Sequence, residues 1–198
     1  MTTTTWPNLD GVAIVGLGHK ARQGKDMLTD ALLNHYGNSR RLGFADAVKV
    51  LARADYGMTT KDGPLLQRLG MEGRAHDPDT WVRIVAWTIH EWLESAPEGL
   101  LVVIPDLRFP NEAAFIRAYG GICVDVRRWH ADGSRVITTD RDAGHASETS
   151  LDGFTFDAII DNIEARQDEA RDRLIRLVDR AFDPDRARRR FQLSLIHI

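Results

Sequence analysis

The chain has very little cysteine, no long apolar run and almost no net charge, and each scarcity removes a class of protein. One of its 198 residues is a cysteine, Cys123, and it lies inside an apolar run. A disulfide framework is excluded, and a buried, inert thiol in a reducing compartment is expected. Nowhere do about 18 apolar residues run together, the length that a membrane-spanning helix needs. The opening MTTTTWPNLD carries neither a basic region nor an apolar stretch of signal length. A cytoplasmic, soluble protein with no membrane partner is expected. With 26 basic against 29 acidic residues the net charge is −3, too small to draw nucleic acid to the surface as a whole. No nucleic-acid partner is expected, and any anion-binding patch must be local. The sequence also lacks a nucleophilic serine or cysteine constellation and a histidine pair at metal spacing.

What is present is enough apolar material, 43% of the chain, for one sizeable core. A single domain over 1–183 is expected. The end, 184–198, differs: Arg186, Arg188, Arg189 and Arg190 cluster before an apolar tip, which reads as a frayed tail.

Before that tail, GVAIVGL, RRLGFA, LLVVI, ICVDVRR and FDAIID read as strands. Helical patterns separate them. Met27, Leu28, Ala31, Leu32 and His35 share one helical face, and Asp46 and Gly57 bracket the next helix as N-cap and stop. Trp81, Ile84, Val85, Thr88, Ile89 and Trp92 recur at helical spacing as a core face. A long amphipathic helix is expected from Glu164 to Phe182, and exposed apolar parts of the helices leave room for a homodimer. Alternating strands and helices imply parallel pairing through right-handed crossovers. The expected fold class is α/β, a three-layer αβα sandwich around a mostly parallel five-stranded sheet. In such sheets ligands sit at the carboxyl ends of strands, here after Val15, Phe44, Ile104 and Val126.

GLGHKARQGKDML, residues 16–28, is a glycine-bounded basic turn between a buried strand and a helix. In the phosphate loop G-x-x-x-x-G-K-[ST], backbone N–H groups wrap the phosphates, the lysine reaches the terminal ones, and the helix N-terminus adds partial positive charge. Here five residues rather than four separate Gly18 from Gly24, and Asp26 replaces the hydroxyl residue after Lys25. The candidate phosphate ligands are Gly18, Arg22, Gln23, Gly24, Lys25 and Asp26. Gly16, Gly18 and Ala21 also satisfy G-x-G-x-x-[GA], but that dinucleotide fingerprint should open directly into an apolar-faced helix, and here polar residues intervene. A solvated turn is the remaining alternative.

A carboxylate beside phosphates needs a cation between them, and Mg²⁺ favours one or two carboxylates plus phosphate oxygens. Asp26 is therefore a metal candidate; its alternative role is to complement the helix dipole. Asp106, just past LLVVI, is the second metal candidate, and Arg108 could pair bidentately with a phosphate. A surface ion pair is the alternative for Arg108.

Together, GHKARQGKD, FADAVK, LLQRLGMEGR, VVIPDLRFPNEAAFIRAYGG and GHASE resemble the phage-type deoxynucleoside monophosphate kinases, from about Gly11 to Leu177. The resemblance implies a P-loop fold of the nucleoside monophosphate kinase type, ATP as phosphoryl donor, Mg²⁺, a small-molecule nucleotide as acceptor and, for a phage protein, the host cytoplasm. It implies that Lys25 stabilises the transferring phosphoryl and that Asp26 organises the metal. Asp46, Lys49, Arg74 and Trp81 would line the acceptor side, with Asp106 and Arg108 serving metal and acceptor phosphate. Arg128 would sit near the donor nucleotide at the start of a lid over about 129–148, which would carry His145, Ser147 and Glu148 of the H-x-S-E pattern. A phosphomevalonate-type kinase, which shares G-K-D, and a nucleotide-binding module without transfer are the alternatives.

Overall fold

Alternation along strand β1 (Ala13–Gly18) sends Ile14 to one side of a sheet and Val15 and Leu17 to the other, all fully buried. The computed structural model in which this is seen describes residues 6–18, 20–95, 99–137 and 144–182. The tail at 184–198 and the middle of the expected lid lie outside the described residues.

After β1 come α1 (Lys25–His35), β2 (Ser39–Arg41), α2 (Asp46–Tyr56), α3 (Gly63–His76) and α4 (Thr80–Ser95). There follow β3 (Leu101–Ile104), α5 (Pro110–Ala118), β4 (Ile122–Trp129), α6 (Ala146–Thr149), β5 (Ala158–Ile163) and α7 (Gln167–Ala181). The strands form one five-stranded sheet in the order β2-β3-β1-β4-β5, and every neighbouring pair is parallel. On one face α4 and α5 cover Ile14, Val102, Ile104 and Cys123. On the other, α1 and α7 cover Val15, Leu17, Val103, Val124 and Ile160. The architecture is thus the three-layer αβα sandwich. A smaller apolar cluster joins α2, α3 and the start of α4 through Val48, Ala52, Leu69 and Trp81.

β1 and β3 are neighbours whose connections leave in opposite directions, from β1 over β3 to β2 and from β3 across β1 to β4. This is the switch point at which open α/β sheets form a crevice, and the basic turn lies there.

Several elements differ from expectation for visible reasons. β2 stops at Arg41 because Phe44 and Ala45 turn their N–H groups to the Asp106 carboxylate, at 2.9 Å each, instead of continuing the ladder. Asp46 is the first residue of α2 and not its cap; its side chain bonds back to Gly43 N at 2.7 Å. The buried stripe of α4 is Trp81, Val82, Val85, Ala86 and Ile89, one step round from the expected one, which leaves Ile84 exposed. On α1 His35 is exposed, and Lys25, Leu28, Thr29 and Leu32 face inward. α7 starts at Gln167, after Ala165 has taken a left-handed φ of 63°.

Cys123 is fully buried between the sheet and α5, and burial pushes its thiol up to about 12. It should resist a thiol reagent at pH 8 in the native state and react at once in denaturant. Because the unfolded thiol ionises near 9 and the folded one near 12, this residue's contribution to stability should fall as pH rises between those values. A urea titration series against pH, with Cys123→Ala as reference, measures it.

Candidate functional site

β1 delivers the chain into the crevice at Gly18, where a Cβ would lie 2.9 Å from Phe156 Cε1. Gly18 therefore serves close packing. The turn that follows puts Arg22 in a left-handed conformation with an exposed side chain and closes at Gly24, with φ of 89°. A Cβ at Gly24 would also stand 2.1 Å from Asn162 Nδ2, so glycine is required there for both backbone and space.

α1 then begins at Lys25. Its side chain is 8% exposed and its ammonium donates to the Lys20 carbonyl, back across the turn. Burial, and next the charge of Arg108, lower its pKa from 10.5 to about 7, against the pull of Glu148, Asp106 and Asp26.

Gln23 does not act as expected. It is 2% exposed: its Oε1 accepts from Arg128 N at 2.7 Å and its Nε2 donates to the Ala21 carbonyl at 3.1 Å. The side chain points into the sheet rather than towards a phosphate. Arg128 keeps a half-exposed guanidinium, paired with Glu164 at 3.3 Å.

β3 delivers Asp106 and Arg108 to the same crevice. Both Asp106 oxygens brace the β2–α2 turn, which approaches so closely that a Cβ on Gly43 would meet Oδ2 at 2.8 Å. Arg108 is held twice. Its backbone N–H, with that of Phe109, donates to Glu112 Oε2 at 2.7 and 3.0 Å, and its guanidinium reaches Glu148 Oε1 at 2.9 Å. Glu112 is buried, which pushes its carboxyl up to about 7 against the pull of Arg74.

Arg74 packs its guanidinium on the Phe109 ring, 3.9 Å from the centroid, and bonds Glu112 at 2.8 Å. Trp81 is corrected by the structure from substrate lining to helix packing. Its ring fills the space over Gly73, and its indole N–H donates to the Gly70 carbonyl at 3.0 Å.

Asp46 and Lys49 do come together, at 2.6 Å. Burial works to raise the Asp46 pKa, but the bonds from Lys49 and Gly43 N and the charge of Arg41 outweigh it and hold it below the ordinary value. Arg41 was not foreseen. It stands 3.6 Å from Asp46 and 4.0 Å from Asp26, and its only sequence signal is its place at a strand's carboxyl end. Asp26 itself is nearly fully exposed.

The H-x-S-E pattern divides by role. His145 caps α6 through Nδ1, which accepts from Ser147 N at 3.1 Å and lies 2.9 Å from Ser147 Oγ. Glu148 is buried and bridges the loop to Arg108: Oε2 accepts from Ala21 N at 3.0 Å while Oε1 meets the guanidinium. Lys20 binds the Glu148 carbonyl and Asp152. The far end of the expected lid is thus anchored on the loop in this state.

No protein-family model matches the chain. It is 31% identical over 135 residues to uncharacterized protein ORF77 of Ictalurid herpesvirus 1 (strain Auburn), covering 66% of this chain and 55% of that protein. The chain therefore spans about half the length of that relative. Among solved structures, it is similar to a tunicamycin resistance protein of Deinococcus radiodurans, at 13% identity, 85% of this chain, 94% of that chain and TM-score 0.48. A shikimate kinase of Bacteroides thetaiotaomicron gives 14% identity, 84% and 98% coverage and TM-score 0.47. The APS kinase of Mycobacterium tuberculosis gives 12% identity, 84% and 96% coverage and TM-score 0.40. These likenesses are loose, and the fold assignment rests on the chain's own topology.

Glu148→Gln removes the charge that joins Ala21 N–H to Arg108. It is expected to lower stability by about 1.5–3 kcal/mol and to speed amide exchange at Ala21. Denaturant melts and hydrogen exchange read the two effects, and an unchanged Ala21 rate would show that the bridge does not hold the loop.

Proposed function

We propose that this protein transfers the γ-phosphoryl group of ATP to a deoxynucleoside 5′-monophosphate. The observation that carries the reading is the buried Lys25 ammonium inside a strand–turn–helix loop, with Arg108 close enough to depress its pKa. The resemblance to phage-type deoxynucleoside monophosphate kinases supports the acceptor class. An acceptor phosphate is already anionic near neutral pH, so the chemistry asks for positioned positive charge and not for a dedicated base.

In this reading the N–H groups of Gly24 and Lys25 and the Lys25 ammonium hold the donor phosphates. Arg108, fixed by Glu148, holds the acceptor phosphate in line with them. Asp46, Lys49 and Arg41 form the wall on the acceptor side, and Arg128 stands on the donor side. Among the described residues no group of three or more histidine, cysteine, aspartate or glutamate side chains could hold a metal by itself. Mg²⁺ keeps waters and phosphate oxygens and needs only one or two carboxylates. Asp26 is open to solvent, and the Asp106 oxygens, each accepting one N–H, retain lone pairs. These two residues would hold the ion, which supplies neutralisation of phosphate charge when bound.

The direct test is incubation of the protein with ATP, Mg²⁺ and each dNMP in turn, alongside a phosphorylated alcohol, with diphosphate product as the readout. Turnover of at least one dNMP is expected, and Lys25→Ala should reduce it by about 100-fold or more while remaining folded. A folded protein inert towards all four dNMPs overturns the reading.

Lys25 gives a second check. With its free-state pKa near 7, the side chain is largely neutral at pH 8.5, and triphosphate binding should restore its charge. Calorimetry in buffers of different ionisation enthalpy should therefore show proton uptake on ATP binding at pH 8.5 that fades at pH 6 and vanishes in Lys25→Ala.

A further inference from the structure

Two amide side chains beneath the loop, Gln23 and Asn162, have no task in the scheme above, and the structure assigns them one. They are positioning residues that hold Gly24 and Lys25 in the shape that faces phosphate. This inference rests on the proposed phosphate loop and adds to it residues that touch no ligand.

Asn162 lies on β5 in register with Arg128 of β4. Its Nδ2 donates to the Gln23 carbonyl at 3.0 Å, while the Gln23 side chain accepts from Arg128 N at 2.7 Å and donates to the Ala21 carbonyl at 3.1 Å. The second half of the loop is thereby fastened to paired positions of a single ladder. The Asn162 amide also occupies the space that a side chain on Gly24 would fill, 2.1 Å from an ideal Cβ, against the residue whose φ is 89°. Contact and bond together fix the turn immediately before Lys25.

A second, independent observation concerns the other end of the same amide. Asn162 is 5% exposed, and its Oδ1 is the one buried side-chain polar atom among the described residues with no hydrogen-bond partner. Turning the amide over would set that oxygen against the Gln23 carbonyl, so the N–H must face the loop and the oxygen must go without. Burying an acceptor in this way disfavours folding, and a β-branched apolar residue suits a strand position better. Pairing the buried Gln23 carbonyl is one reason for asparagine here. Holding the N–H groups at Gly24 and Lys25 in advance of the ligand is the other, because preset donors need no reorganisation when phosphate arrives.

The test uses the full chain with Asn162→Ala and, separately, Gln23→Ala. Circular dichroism establishes the fold, calorimetry gives the affinity for MgATP, and steady-state kinetics give KM for MgATP and for a dNMP. The expected result is MgATP binding weakened about tenfold or more, a matching rise in its KM, an unchanged KM for the dNMP and a native spectrum. Folded variants that bind MgATP like the parent, or that lose affinity for both substrates alike, overturn the inference. So does failure of both variants to fold, since the network would then serve the sheet. A parent protein that binds no MgATP overturns instead the proposed function, so the two failures are distinguishable.

Discussion

The site depends on keeping a lysine side chain where water scarcely reaches. An ammonium group out of water is unfavourable unless other groups replace its hydration, and each neighbour of Lys25 can be read as part of that replacement. The Lys20 carbonyl accepts its proton, and Glu148, Asp106 and Asp26 attract it, while burial and Arg108 push the other way. Glu148 ties Arg108 to the loop at Ala21 N–H, and Lys25 spans the same loop to the Lys20 carbonyl.

The second constraint is how closely backbone segments approach one another. Gly43 lets the β2–α2 turn close on Asp106, and Gly24 lets the loop close on Asn162. The carboxyl ends of β1, β2 and β3 are thereby drawn into one crevice. Glu112 does similar service from α5, where one oxygen gathers two consecutive N–H groups and the other meets Arg74. Residues that the sequence presents as separate motifs are in this way mechanically continuous.

Much of the architecture was legible because its signal is local. Five short apolar runs and the glycines between them suffice for the layers, and the helix stops at Gly57 and after Ala118 follow from left-handed glycines. The position of Lys25 could be read from its motif alone. What escaped the reading depends on partners far along the chain. Nothing local says that Gln23, in a variable position of the loop, turns inward to serve Arg128 N–H, 105 residues later. The end of β2 is set by Asp106, 61 and 62 residues on. Trp81 lies on the core face that its spacing predicts, and it covers Gly73 and Gly70 rather than the acceptor side that the resemblance implied. Glu148 carried a pattern without a role until its two oxygens were seen to join separate segments.

That same remoteness governs assembly. The bond from Asn162 to the loop closes over 139 residues, and the bridge from Glu148 to Ala21 over 127. Neither contact can form before its later residue has been synthesised, and each must overcome the entropy of closing a long loop. On the ribosome, the basic turn therefore emerges early but acquires its final curvature late, when β5 docks beside β4. An incomplete chain therefore lacks the bonds from Asn162 and Glu148 that hold the turn.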